Sequence, residues 1–224
     1  MFADTPVPPA QRADPALRRI AAVALLSVIL GLAVQSAILA VKIAGRPARA
    51  DLVVDVATGV TWSLLVCTGL AVGLTIAKGR PMLTGALAFC IAPAALAVAK
   101  ASQKVLTDWL DAAEKAVFLD LGTVSVLRAA EYALLGWLLA RLVVRDEDRS
   151  WLYLGAGCAA GIIFGGAITG LTWRAADRGG TPLTPPMLAA TTINEMVFPV
   201  GCALVIFLGH LVGHHVKVLD AGPT

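Results

Sequence analysis

The sequence predicts an all-α fold, a polytopic membrane helix bundle of about six transmembrane helices plus one amphipathic interfacial helix. Three observations predict it. Hydrophobic residues make up 58% of the chain and charged residues 15%, against roughly 45–50% and about 25% in soluble domains. The apolar residues fall in long blocks, and runs of about 20 are what a ~30 Å hydrocarbon layer requires. The charges gather between those blocks.

Residues 1–19 are polar and rich in Pro and Ala, and read as a disordered tail ending in Arg18 and Arg19. The first span is Ile20–Val41. Ala48-Arg49-Ala50 resembles a signal-peptidase site, but the apolar run before it exceeds the ~7–15 residues of a secretory h-region, so the span is retained. The second span, Val53–Ala77, is closed by Lys78-Gly79-Arg80-Pro81, and the third, Met82–Ala99, contains Pro93. Residues 101–118 read as the interfacial helix. Val105, Trp109, Ala112, Ala113, Ala116 and Val117 recur at helical steps, with Asp108, Asp111 and Glu114 mostly opposite. The fourth span, Thr123–Val144, ends at the charged turn Arg145–Arg149. The fifth is Trp151–Thr172, followed by a loop, Trp173–Pro186. The sixth, Met187–Val212, is interrupted by Pro199, and residues 216–224 form a tail.

Six spans put both termini on one side. Lys and Arg divide nine to eight between the termini side and the opposite side, Arg128 being the eighteenth. The first helix often dominates orientation, and its N-terminal arginines favour cytoplasmic termini. The expected location is a cell membrane, specifically a bacterial inner membrane. The expected partners are the lipid bilayer and other membrane proteins or further copies of the chain. With a net charge of +3 and no basic stripe, nucleic acid is not an expected partner.

Apolar helix surfaces have no hydrophobic reason to associate in lipid, so close packing falls to small residues. Gly157, Gly161 and Gly165 repeat every four residues on one face of the fifth span, and Gly166 and Gly170 repeat the spacing beside them. This pattern marks the fifth helix as central, packed against a neighbour in the bundle or in another copy.

Charged side chains inside a span cost about 2.5–3.5 kcal/mol on insertion scales and are functional candidates by default. Three stand out: Arg128 and Glu131 in the fourth span and Glu195 in the sixth. Arg128 and Glu131 are three residues apart and share a helix face. Glu131 lies about 4 Å and Glu195 about 7 Å from the centre of its span at ~1.5 Å per residue, both on the N-terminal side. The fourth and sixth spans run parallel, so the two carboxylates reach similar depth. Pro199 has no N–H for the carbonyl four residues earlier, which belongs to Glu195. Asn194, Glu195 and Pro199 therefore present an amide, a carboxyl and a free carbonyl together, as interrupted helices do at substrate and ion sites. Interhelical glue explains the same residues, with one acid protonated. Asp55 could join either arrangement but reads more simply as interfacial.

His210, His214 and His215 end the last span, with no third metal ligand beyond Asp220; no metal and no cofactor are expected. Cys67, Cys90, Cys158 and Cys202 fall in different apolar blocks and read as core residues rather than a disulfide framework.

The order of features over about Val126–Gly213 resembles the PrsW-type glutamic intramembrane proteases of the wider CAAX-protease superfamily. Those carry a Glu-Glu-x-x-Lys helix, a Gly-rich helix with a GFAxxEN-like motif, and a helix with a polar His motif. The corresponding stretches here are Arg128-Ala-Ala-Glu131-Tyr-Ala-Leu-Leu, Gly155–Thr169 and Thr192-Ile-Asn194-Glu195. Ala130 replaces the first Glu, Leu134 the Lys, the Glu-Asn pair is missing, and Asn194-Glu195 stands where His belongs. Only Glu131 carries over as a catalytic position. The resemblance implies the fold more than the activity.

Three functions follow as expectations. The first is a non-catalytic subunit or scaffold packing through its glycine face. The second is an ion- or proton-coupled transporter or channel-like protein using Glu131 and Glu195. The third is a divergent glutamic intramembrane protease in which those two acids activate water.

Overall fold

The computed structural model describes residues 15–42, 49–77, 80–112 and 118–220, with side chains described to residue 212. Every element is helical: α1 (Pro15–Lys42), α2 (Arg49–Ile76), α3 (Pro81–Leu110), α4 (Leu121–Val144), α5 (Ser150–Ala160), α6 (Gly166–Arg178), α7 (Pro185–Thr192) and α8 (Phe198–Asp220). Two single π turns, π1 (Gly161–Gly165) and π2 (Ile193–Val197), join α5 to α6 and α7 to α8 into the continuous fifth and sixth helices.

Five of these long helices are apolar and long enough to cross a membrane, which makes the chain a multi-pass membrane protein. The exception is α4, which carries Arg128, Glu131 and Arg141. Its 24 residues would still reach about 36 Å at ~1.5 Å per residue.

The distribution of side chains matches a lipid environment. Ser27, Gln35, Ser63, Thr84, Arg128, Glu131 and Glu195 are buried, while Leu25, Ile29, Phe89, Ile162 and Ile163 are exposed. Apolar surface needs no burial when the surroundings are hydrocarbon, whereas polar groups must find partners inside. Ser63 does so by donating across to the Ser27 carbonyl at 2.6 Å, tying α2 to α1.

Sequential helices pack as neighbours from α1 to α4, and α8 fills the middle, touching α1, α2, α4 and α5. The sixth helix is the central one: 56% of its most apolar stretch is buried, against 28% for the fifth. This corrects the expectation that glycine periodicity makes the fifth helix central. A glycine face brings a helix close to one neighbour, but it does not surround that helix with neighbours.

Helix boundaries differ from the sequence reading in three places. α1 starts at Pro15, inside the stretch read as a tail, with residues 1–14 outside the described residues. Proline is pre-organised for the first turn of a helix. α3 runs unbroken through Lys100 to Leu110, where Asp111 takes a left-handed conformation (φ 48°). The stretch after Ala99 is thus the continuation of the third helix, because Lys100–Leu106 holds no Gly or Pro to break it. Residues 113–117 of the expected interfacial helix lie outside the described residues. Finally, α6 continues to Arg178, and only Gly179–Thr184 connects it to α7.

Candidate functional site

The two π turns face each other, and the reason lies in the glycines of the fifth helix. A methyl group on Gly157 would stand 2.6 Å from the Cα of Val200 and 2.8 Å from the Pro199 carbonyl oxygen. On Gly161 it would meet the Met196 carbonyl, and on Gly165 the Glu195 carbonyl, both closer still. The glycine stripe is therefore seated against main-chain atoms of residues 195–200 in the same chain. Gly166 touches only the end of the Met196 side chain, and Gly170 faces open space, so the second spacing does no comparable packing.

A π turn accommodates one extra residue through i to i+5 hydrogen bonding. In π2 the cause is Pro199, which offers no N–H to the Glu195 carbonyl and whose ring crowds that carbonyl in a regular helix. Pro199 itself is fully buried.

Against this irregular pair, α4 presents Arg128 and Glu131. The Arg128 guanidinium donates from Nη1 to Glu131 Oε2 at 3.0 Å. Its Nη2 lies 2.5 Å from Glu195 Oε2, a charge contact rather than an aligned hydrogen bond. Asn194 Nδ2 donates to the other Glu195 oxygen at 2.9 Å. Arg128, Glu131 and Glu195 are 5%, 0% and 8% exposed. Glu131 Oε1 and Arg128 Nε, both buried, have no hydrogen-bond partner among the described residues. The helices brought together by this cluster are the fourth and the sixth, as the sequence reading requires.

An aromatic wall closes one side. The Arg128 guanidinium carbon lies 5.1 Å from the ring centroid of Trp62 on α2, a cation–π arrangement. Trp62 in turn meets Tyr132 edge-on at 5.7 Å and Phe198 at 6.2 Å. The sequence reading missed this wall, although Trp62 gave a signal. Tryptophan concentrates at membrane interfaces, and a Trp in mid-span asks for a partner. Nearby, Cys67 and Cys202 bring their sulfurs to 3.1 Å between α2 and α8 as free, buried thiols. Cys90 and Cys158 are free and exposed, so they are not core residues.

Two further charges frame the site. Lys100 is exposed, donates to Gln103 Oε1 at 3.0 Å and lies within electrostatic range of Glu195. Asp120 caps α4: Oδ1 accepts from the Thr123 hydroxyl and Oδ2 from the Thr123 N–H, each at 2.7 Å. Those bonds hold the Asp120 carboxyl below its ordinary value.

The remaining sequence candidates lie elsewhere. Asp55 pairs with Lys42 at 3.0 Å, joining the start of α2 to the end of α1, and does not enter the cluster. His210 is buried and meets Asp146 of the α4–α5 turn at 3.4 Å. The side chains of His214, His215 and Asp220 lie outside the described residues. Among the described residues no group of three or more His, Cys, Asp or Glu could hold a metal.

No family model, no curated protein and no solved structure matches this chain.

Proposed function

We propose that this six-span protein is a transporter or channel-like protein that takes up and releases a proton or small cation at Arg128, Glu131 and Glu195. The observation that carries the reading is two buried carboxylates on one buried guanidinium. One arginine neutralises one carboxylate, and the second must bind a proton or a cation to remain inside a low-dielectric bundle. Lys100 is exposed, so solvent screening weakens its claim on that charge. The carboxylate of Glu195 sits in an interrupted helix, the kind of segment that lines ion sites in membrane proteins.

The scaffold reading loses its stated surface, because Gly157, Gly161 and Gly165 are already covered by the chain's own sixth helix. The glutamic-protease reading keeps one specific support: Glu131 Oε1, buried without a hydrogen-bond partner among the described residues, is where a nucleophilic water would have to bind.

The test is proton flux into dye-loaded liposomes containing the purified chain, driven by a potassium diffusion potential. Glu131→Gln and Glu195→Gln should each lower the flux more than tenfold, the order of effect expected for removing a group in direct proton transfer. Flux in both variants equal to the unaltered protein sinks the proposal. Cleavage of a membrane-embedded reporter peptide, lost in the same variants, would favour the protease reading instead.

A further inference from the structure

On the outer side of the α3–α4 pair lies an apolar groove of about 560 Å³, lined by Met82, Gly85 and Phe89 of α3 and Ala133, Leu134 and Trp137 of α4. That volume is within the ~300–1,000 Å³ typical of small-molecule sites. The groove exists because the two helices approach on small residues. A methyl group on Gly85 would lie 3.0 Å from the Ala133 carbonyl oxygen and 3.3 Å from the Trp137 Cβ.

The same contacts fix the register. The start of α3 runs antiparallel beside the end of α4, so Arg80, the residue capping α3, comes level with Arg141 in the last turn of α4. Both arginines are exposed. The Arg141 guanidinium sits 4.6 Å over the ring of Trp137, a groove residue. Among the described residues the first turn of α3 has no side-chain cap, so its N–H groups add the positive end of a helix dipole. Of the three acids that follow α4, Asp146 meets His210 and Glu147 meets Arg149.

An apolar groove in the bilayer with two guanidinium groups and a bare helix start at one end matches one kind of occupant. We propose that it binds an anionic phospholipid, one acyl chain in the groove and the phosphate against Arg80 and Arg141. The proposal is independent of the Arg128 cluster and requires only that the chain sits in a membrane.

The test is native mass spectrometry of the delipidated full chain in mild detergent. It would be titrated with phosphatidylglycerol or with phosphatidylcholine of the same acyl chains. Phosphatidylglycerol should be retained preferentially, and Arg80→Gln with Arg141→Gln should erase the preference, by about fivefold for each charge removed. Ala86→Phe, which projects a ring into the groove from an exposed position, should reduce retention of both lipids. All three replaced residues are exposed, so the bundle itself is not at risk. The proposal fails if the unaltered protein holds the two lipids equally, or if the preference survives the arginine double variant. It also fails if Ala86→Phe leaves phosphatidylglycerol retention unchanged, since the headgroup would then be adsorbed without a seated chain.

Discussion

Of the helix pairs in this bundle that are seated on glycine, two serve different ends. The third and fourth helices meet through Gly85, Ala88 and Gly136 along regular α-helix, and the result is an apolar seam. The fifth and sixth meet through Gly157, Gly161 and Gly165 against the main chain of residues 195–200, where both helices open into π turns. Only the second contact holds an acid, Glu195, tied to Arg128. Close approach by itself is therefore a packing device. Close approach combined with a proline-broken turn brings an irregular backbone beside a buried charge, and the proposed site rests on that combination.

The largest effect should come from breaking the fifth–sixth contact. Gly161→Leu drives its side chain into a main-chain carbonyl that no rotamer change can move aside. Overpacking typically costs ~1–3 kcal/mol and occasionally more, and backbone in the way belongs to the upper end. Thermal unfolding in detergent should show loss of the folded chain, while Gly170→Leu, facing open space, should melt like the parent. Equal melting of the two variants would remove the distinction between the stripes.

The third–fourth contact should tolerate more. A methyl on Gly136 would meet the Ala88 Cβ at 3.0 Å and the Leu70 Cδ2 at 3.2 Å, so Leu70 can repack and the α3 backbone at Ala88 need shift only by a few tenths of an ångström. Gly136→Ala should lower stability by about 1 kcal/mol, partly offset by the better helix propensity of alanine. A loss as large as that of Gly161→Leu would show the two contacts to be equivalent.

The smallest effect concerns the start of α4, the helix that forms the first contact and carries Arg128 to Glu195 beside the second. The Asp120 carboxyl is held below its ordinary value of 3.8 by its bonds from the Thr123 hydroxyl and N–H. A group with a lowered folded value stabilises above its unfolded value, and that stability disappears as pH falls through the folded one. Asp120→Ala should therefore melt slightly earlier than the parent at neutral pH, and the difference should vanish in strong acid. A difference that stays constant with pH would show that the cap acts without its charge.

Much of this was legible in the residues. Long apolar blocks gave the helices because hydrocarbon thickness sets a length that composition alone satisfies. The pairing of Arg128 with Glu131 followed from i, i+3 spacing, and the reach of Arg128 to Glu195 is in keeping with their positions along parallel spans. Tertiary choice was less accessible. Nothing in Gly157, Gly161 and Gly165 names their partner, since a small-residue face fits any backbone. The π turns were half legible: Pro199 announces a broken hydrogen bond, but Gly161–Gly165 carries no such marker. The run of α3 past Lys100 was hidden by polarity, which ends a membrane span without ending a helix.

The contact between the fifth helix and residues 195–200 has one mechanical consequence. Where backbone rests on backbone, no side chain stands between the helices to rotate and let one slip past the other. A movement that carries the backbone of residues 195–200 away from α4 must drag the fifth helix with it. The sixth helix also seats Gly201 and Gly209 on Leu30 and Val23 of α1, so the first helix is engaged in the same movement.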